Sequence, residues 1–372
     1  MDFSLSEEQD ELRALTARIL SDLETPERLK EISASPERID MRLWKEMASA
    51  GLLSAALPES CGGAGLGFVA AGVVAEECGR TAAAVPFESA IVGAAMPLAE
   101  FADDTQRRRW LDPLLTGEIF VMPALTEYGT DVTAPTTKAV EDGGGWRLEG
   151  SKTFVPGASV AEAFVVSAVG GDGEASLFLV SRDSSGISVN SQEATDGRLE
   201  GELQLDSVRV REDALLGNTG SAGTLPWLAE HLQAATCVEI AGACQAALKL
   251  TSEYTSRREQ FGKPIATFQA VGQRAADAYI DTEAVRLTSW QAVWRLAEGL
   301  AASKEVAVAK FWADEGAQRV VHATQHLHGG MGVDRDYPLH RYYLLVKHLS
   351  LVLGGTTTSL VRLGDMLADE PV

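Results

Sequence analysis

The sequence predicts an α+β protein with an N-terminal α-helical domain (residues 1–115), a middle β-barrel domain (116–222) and a C-terminal four-helix-bundle domain (223–372). Apolar residues recur with helical spacing towards both ends of the chain. Short runs with alternating faces, such as AFVVSAV and SLFLVSR, occupy the middle. A length of 372 residues also exceeds one ordinary core, so two or three domains are expected.

The N-terminal domain begins with a capping signal. Ser4 is the predicted N-cap of the first helix because Glu7 follows three residues later. Leu12, Leu15 and Ile19 then supply one apolar face. Further helices are predicted through Leu43–Leu52, Val69–Gly79 and Phe87–Phe101.

The middle and C-terminal domains differ in the period of their apolar residues. At least five β-rich runs, separated by Gly, Asp and Ser turns, lie within about 100 residues, which favours a small barrel or sandwich. The helical period then returns in segments with the spacing of a four-helix bundle. These predicted helices are 226–258, 267–298, 303–327 and 338–368.

Composition excludes several functional classes. The formal charge of −21 argues against binding to nucleic acid or to anionic membranes. The acidic start lacks the features of a signal peptide, and no run approaches ~20 apolar residues, so a cytoplasmic location is expected. Cys237 and Cys244 would stand about 10 Å apart on one helix face, too far for a disulfide. Reduced structural thiols and no metal site are therefore predicted.

Two segments combine residues that suit a phosphate-containing ligand. In the first, YTSRREQFGKPIATFQ, Gly262 and Pro264 end a helix and leave Arg258 in its last turn. Arginine can hold a pyrophosphate with two hydrogen bonds, and Gln269 could hydrogen-bond a phosphate or a hydroxyl. In the second, HGGMG, Gly329 and Gly330 permit close approach of the backbone to a ligand.

These segments resemble the flavin-contacting signatures of the acyl-CoA dehydrogenase family. LTEYGTD (Leu125–Asp131) and GSKTFVPGA (Gly150–Ala158) resemble two further segments of that family. The resemblance covers nearly the whole chain and implies the family's three-domain fold, FAD as cofactor, and α,β-dehydrogenation of an acyl-CoA thioester. It also implies the following cofactor-binding residues, several of which serve the flavin of a neighbouring subunit: Thr126, Arg258, Phe261, Gln269, Gly329 and Gly330.

The sequence departs from the family pattern where the chemistry takes place. The family's C-terminal catalytic glutamate falls on Leu353 or Gly354, and no carboxylate occurs between Tyr337 and Gly364. The alternative position of the base, on the first helix of the C-terminal domain, is Leu232. No catalytic residue is therefore predicted.

Two further departures concern the flavin ring. The family's flavin-packing tryptophan is replaced by Phe154. The following hydroxyl that bonds flavin N5 is replaced by Pro156, which offers neither a hydroxyl nor a backbone N–H. The chain's own flavin-ring site thus lacks two expected groups.

Three functional hypotheses remain open. The pattern resembles the companion subunits of actinobacterial acyl-CoA dehydrogenases of the steroid side-chain-degrading type. In these α2β2 heterotetramers a homologous catalytic chain supplies the glutamate. Alternatively, the chain is a homotetrameric dehydrogenase with a displaced base, Glu230 or Glu239, although solvated or paired helix carboxylates are the ordinary interpretation of both. The third hypothesis is a non-enzymatic scaffold of the same fold.

Overall fold

The computed structural model describes residues 4–217 and 223–369 of the chain. Helices precede and follow a β-rich middle, in the order that the sequence predicts. The helices before the first strand are α1 (Glu7–Leu23), α2 (Pro26–Ser33), α3 (Met41–Ser49), α4 (Gly67–Thr81), α5 (Met96–Phe101), α6 (Asp104–Gln106) and α7 (Asp112–Leu115), with π-helical segments at Glu88–Ala95 and Arg107–Leu111. The domain boundaries after residues 115 and 222 stay predictions.

The N-cap of α1 is Ser6, so the prediction of Ser4 is wrong. Ser6 Oγ accepts a hydrogen bond from the Gln9 backbone N–H (3.2 Å), and Gln9 Oε1 accepts one from the Ser6 N–H (3.0 Å). The sequence offers the same capping pattern twice, two residues apart. Starting after Ser6 places Glu7, Glu8 and Asp10 in the first turn, where the helix dipole favours negative charge.

The middle of the chain forms one mixed sheet. Its strands are β1 (Val121–Ala124), β2 (Lys138–Glu141), β3 (Gly145–Pro156), β4 (Ala163–Val169), β5 (Ala175–Ser181), β6 (Ile187–Glu193), β7 (Leu199–Arg211) and β8 (Leu215–Leu216). They are ordered β6-β7-β3-β2-β4-β5-β8, with β1 parallel to β4. The long antiparallel pair β3–β7 changes register between Lys152 and Val155, which bends β3 beside the predicted site.

The C-terminal part is helical, with one short hairpin. It contains α8 (Thr224–Arg257), the strands β9 (Glu259–Gln260) and β10 (Lys263–Pro264), α9 (Gln269–Ala297), α10 (Ser303–Phe311), a π-helical turn (Trp312–Gly316), α11 (Ala317–His328), α12 (Leu339–Leu349) and α13 (Thr356–Ala368). The prediction of one helical segment over 338–368 is wrong. Leu353 (φ 58°) and Gly354 (φ 105°) have left-handed backbone conformations, which break the helix between α12 and α13.

The described chain divides into two compact units. The first is drawn from Met1–Pro26, Gly72–Ala83 and Gln233–Val372, and the second from Glu27–Ala71 and Ala84–Leu232. Within the described residues, no helix is both long and apolar enough to span a membrane.

Helices α4 and α8 approach each other closely inside the first unit. A Cβ atom on Gly79 would overlap the backbone carbonyl of Glu239, and one on Gly242 would overlap that of Glu76. Both glycines are therefore required by the backbone packing of this core. The four cysteines, Cys61, Cys78, Cys237 and Cys244, are buried thiols.

Candidate cofactor-binding site

The end of α8 and the hairpin after it position the first group of predicted site residues. The Arg258 N–H donates to the Tyr254 carbonyl (2.8 Å), and the Ile265 N–H donates to the Arg258 carbonyl (2.8 Å). The two-residue turn between β9 and β10 is Phe261–Gly262, with φ values of 55° and 76°. Two consecutive positive φ values match a type I′ hairpin turn. The hydrogen bond between Ile265 and Arg258 thus closes the loop that connects the end of α8 to the start of α9.

Phe261 occupies an unusual position at the tip of this hairpin. Its side chain is 94% exposed although its backbone takes a left-handed conformation that bulky residues rarely adopt. The ring meets Phe268 edge-on (centroids 6.1 Å apart), and Lys263 Nζ lies 4.5 Å from the centroid of the same Phe268 ring. Backbone strain of this kind clusters at ligand-binding and other functional sites.

Gln269 is the first residue of α9, whose N-terminus lacks a side-chain cap. The first N–H groups of a helix carry partial positive charge and favour anions. Arg258 and Gln269 are both exposed, so the guanidinium and amide groups add donors of the type that binds phosphate. This donor set fits the pyrophosphate of a dinucleotide cofactor.

The second group of predicted residues forms the turn after α11. Gly329 has φ 59° and ψ −133°, a conformation that is essentially confined to glycine. Gly329 and Gly330 are exposed, and a Cβ on either would meet nothing within 4 Å. The preceding residue, His328, stacks on Tyr254 with ring centroids 4.4 Å apart. The structure therefore brings the Gly329–Gly330 turn beside the end of α8, one helical turn before Arg258.

Thr126, the remaining predicted residue, lies in the other compact unit, two residues after β1. Its carbonyl accepts a hydrogen bond from the Thr153 N–H (2.8 Å), which joins the segments LTEYGTD and GSKTFVPGA. Among the described residues, the buried hydroxyls of Thr130 and Thr153 have no hydrogen-bond partner. The unsatisfied hydroxyl of Thr153, whose backbone contacts Thr126, is consistent with a polar ligand at this edge of the sheet.

A buried ion pair joins the same two segments. Lys152 Nζ donates to Glu127 Oε1 (2.6 Å) and to Ser167 Oγ (2.9 Å). Burial by itself would raise the pKa of Glu127, but hydrogen bonds from Lys152, Thr136 and Thr137 lower it to about 2. Burial lowers the pKa of Lys152 to about 8, although Glu127 opposes that change. The Glu127 carboxylate is thus ionised and joins the segment after β1 to Lys152 of β3.

Phe154 and Pro156 lie at the bend of β3. Phe154 has φ 53° and is 51% exposed. It lies at the change of register between Lys152 and Val155, which turns its ring outwards. Pro156 pairs with Glu200 in the β3–β7 register. The phenyl ring therefore remains a candidate stacking group, whereas Pro156 cannot donate a hydrogen bond.

The positions where the family resemblance would place a base contain no acid. Leu353 is half-buried in the break between α12 and α13, and its carbonyl accepts a hydrogen bond from Gln233 Nε2 (3.0 Å). Leu232 is 3% exposed. Of the two displaced candidates, Glu230 is half-buried and Glu239 is 1% exposed, which excludes the solvated state considered for Glu239.

Comparisons with known proteins define the class to which the chain belongs. The acyl-CoA dehydrogenase N-terminal, middle and C-terminal domains match residues 6–118, 124–208 and 228–364. The chain is therefore a member of the acyl-CoA dehydrogenase family. Members of this family are oxidoreductases that bind FAD, so the predicted fold class and the predicted cofactor are confirmed.

The individual relatives are similar over the full length. Acyl-CoA dehydrogenase FadE27 of Mycobacterium tuberculosis is 39% identical over 383 residues, covering 100% of both chains. A variant of the Tcur3481-Tcur3483 steroid ACAD is 46% identical, with a TM-score of 0.92 over 98% of this chain and 99% of that one. The ChsE4-ChsE5 complex from Mycobacterium tuberculosis contains a chain that is 38% identical, with a TM-score of 0.95 and 100% of both chains covered.

Sequence reasoning missed two groups of residues that support the site. One is the Glu127–Lys152 pair. A signal for it existed, because Lys152 falls on the same buried face of β3 as Leu148. A lysine on a buried face needs an acidic partner. The other is the stack of Tyr254 and His328, which requires contact between residues 74 positions apart. Sequence spacing carries no information about such a contact.

Proposed function

We propose that this chain is the companion subunit of a heteromeric, FAD-dependent acyl-CoA dehydrogenase. A homologous partner chain supplies the carboxylate that removes the α-proton, and this chain supplies donors to FAD across the shared interface. The absence of any carboxylate from the sequence between Tyr337 and Gly364 carries the proposal, because Leu353 and Gly354 cannot accept a proton. The exposure of Arg258 and Gln269 supports the proposal that this chain supplies hydrogen-bond donors to FAD.

The names of the relatives guide the choice of substrate and partner. One similar structure is a steroid ACAD formed from Tcur3481 and Tcur3483, and another is a complex of ChsE4 with ChsE5. We infer a steroid side-chain CoA thioester as the substrate and an α2β2 heterotetramer as the assembly. A second copy of this chain would not supply the missing base.

Each group has a separate task in this proposal. FAD, when bound, accepts the two electrons removed from the acyl chain. The Arg258 guanidinium neutralises phosphate charge with paired hydrogen bonds, and the Gln269 amide adds a donor at the N-terminus of α9. Gly329 and Gly330 let the backbone approach the cofactor without side-chain obstruction. Proton removal belongs to the partner, since a base must lie within hydrogen-bond reach of the proton.

Co-expression tests the division of labour. The chain is produced alone and together with a homologue whose sequence carries glutamate at the position matching Leu353. Bound FAD is then measured by its visible absorbance, and reduction is followed by bleaching with a steroid side-chain acyl-CoA and with a straight-chain acyl-CoA. We expect bound FAD and bleaching in the complex, and neither in this chain alone. A complex with no more FAD or activity than the separate chains would contradict the proposal.

Matched variants test the cofactor-binding role within the complex. Arg258→Ala should weaken FAD binding by about 10-fold or more, because a charge-assisted pair of hydrogen bonds to phosphate is lost. Arg257→Ala removes a neighbouring exposed arginine from the last residue of α8 and should change FAD affinity by less than about twofold. Equal effects of the two variants would refute a specific role for Arg258.

The same preparations separate the other hypotheses. A homotetrameric dehydrogenase predicts that the chain alone is yellow and bleached by acyl-CoA, with bleaching lost in Glu230→Gln or Glu239→Gln. A scaffold predicts no flavin and no acyl-CoA binding in any assembly. Neither result is compatible with the proposed companion subunit.

A further inference from the structure

Three aromatic side chains from separate segments stack beside the Gly329–Gly330 turn. Tyr254 comes from the last turn of α8, His328 is the last residue of α11, and Tyr337 lies just before α12. The ring of His328 contacts both tyrosines, with centroid distances of 4.4 Å to Tyr254 and 5.2 Å to Tyr337, and the two tyrosine rings lie 6.2 Å apart, edge to face. The planes of Tyr254 and His328 are 22° apart, which is a stacked arrangement.

Hydrogen bonds specify a single orientation of the His328 ring. Nδ1 lies 2.8 Å from the Thr324 carbonyl oxygen, and a carbonyl can only accept, so Nδ1 carries the proton. Burial lowers the pKa of His328, which keeps the imidazole neutral and leaves Nε2 as an acceptor. The Tyr337 hydroxyl, 3.2 Å away, therefore donates to Nε2. Both ring nitrogens are satisfied in this orientation.

The stack is joined directly to both predicted cofactor-binding segments. The Tyr254 carbonyl accepts the Arg258 N–H (2.8 Å), so the position of Tyr254 determines where Arg258 leaves α8. The Tyr254 hydroxyl also contacts the His328 carbonyl oxygen (3.5 Å), which belongs to the peptide bond that enters Gly329. One stack thus connects the backbone before Arg258 to the backbone before the glycine turn.

Apolar packing alone would not require these side chains. A buried imidazole and a partly buried phenol cost desolvation free energy, which an apolar ring of similar size would avoid. What the polar groups add is a single ring orientation, because a rotated imidazole would leave a buried nitrogen without a partner. The arrangement therefore suits a task that depends on position.

We propose that Tyr254, His328 and Tyr337 are positioning residues that set the separation between Arg258 and the Gly329–Gly330 turn, and through it the affinity for FAD. This inference rests on the proposed function, in which both segments contact the cofactor. The three side chains act on the backbone and need no contact with the reacting atoms.

Tyr337→Phe tests the inference in the complex with the catalytic homologue. The variant keeps the ring and removes the hydroxyl that donates to His328. We expect FAD affinity to fall about 5- to 10-fold, with the rate restored to the wild-type value at saturating FAD because the reacting groups are untouched. A purely structural role would instead lower the active fraction at every FAD concentration. Tyr279→Phe removes the hydroxyl of an exposed tyrosine of α9 outside the stack, and serves as the matched control with a change below about twofold.

Arg258→Ala, measured alongside, distinguishes the possible failures. If Arg258→Ala leaves FAD affinity unchanged, the proposed cofactor contact itself is wrong. If Arg258→Ala weakens binding and Tyr337→Phe does not, only the positioning role is overturned. Hydrogen exchange of the complex without FAD gives a second test that does not depend on cofactor contact. Tyr337→Phe should speed amide exchange around both Arg258 and Gly329, and unchanged exchange at either segment would overturn the inference.

Discussion

Replacing Lys152 with methionine should strongly destabilise the middle sheet, although the substitution removes only one positive charge. Lys152 is fully buried, and its ammonium group is bonded to Glu127 and Ser167. Lys152→Met keeps much of the side-chain volume but leaves the Glu127 carboxylate buried without its cation. Removing one partner of a buried ion pair typically costs about 3–5 kcal/mol.

The pKa values of the two partners change in directions with opposite effects on the charged pair. Lowering the pKa of Glu127 from 4.5 to about 2 corresponds to about 3 kcal/mol in favour of the ionised carboxylate. Lowering the pKa of Lys152 from 10.5 to about 8 corresponds to a similar amount against the ammonium ion. The two effects oppose each other, as expected for a buried ion pair that adds little net stability although the loss of one member is costly.

Urea unfolding at pH 7, followed by circular dichroism, measures both consequences. We expect Lys152→Met to lower the free energy of unfolding by about 3 kcal/mol, and the double variant with Glu127→Gln to recover most of that loss. Lys138→Met, which replaces an exposed lysine of the same sheet, is the matched control and should change stability by less than about 0.5 kcal/mol. A loss below about 1 kcal/mol for Lys152→Met, or a double variant no more stable than the single one, would refute the reasoning.

Two further predictions concern pH and glycine. Because the folded pKa of Glu127 is about 2, below its ordinary 4.5, its stabilising contribution is complete above pH 4.5 and is lost as the pH falls through 2. The difference in unfolding free energy between wild type and Glu127→Gln should therefore shrink by about 1 kcal/mol between pH 7 and pH 3.5, and a constant difference would contradict the assignment. Gly79→Ala should destabilise the helical unit by more than about 3 kcal/mol, because its Cβ overlaps the Glu239 carbonyl. Gly272→Ala, in an open position within α9, should instead raise the melting temperature, since alanine favours a helix by about 1 kcal/mol.

The parts of the fold that were predictable are those determined by local signals. The end of α8 follows from Gly262 and Pro264, and the observed helix ends within one residue of the predicted position 258. The break after α12 was missed although the Gly354–Gly355 pair is a turn signal, because the helical period was taken to continue to the end of the chain. The left-handed backbone at Leu353 has no signal of its own in the residue type.

In the candidate site, too, the predictable residues are those that lie close together in the sequence. Arg258 and Gln269 could be proposed because a helix end, a turn and a helix start lie in one short segment. The Tyr254–His328 stack next to Arg258 could not be proposed, since these two residues meet only through the packing of helices that are distant in the sequence. Residue types indicate possible chemistry, whereas distances between remote segments depend on the tertiary fold.

The turn that lacks the carboxylate is held by buried polar groups. Lys310 Nζ donates to the Ser350 carbonyl (3.2 Å) and pairs with Asp314, and Gln233 holds the Leu353 carbonyl. Burial raises the pKa of Asp314 to about 7 despite the adjacent Lys310, so desolvation of the carboxylate outweighs the attraction of the cation. Apolar residues could replace such a pair without loss of stability. The polar groups instead tie the turn to one geometry, since moving Ser350 or Leu353 would cost Lys310 or Gln233 a hydrogen bond.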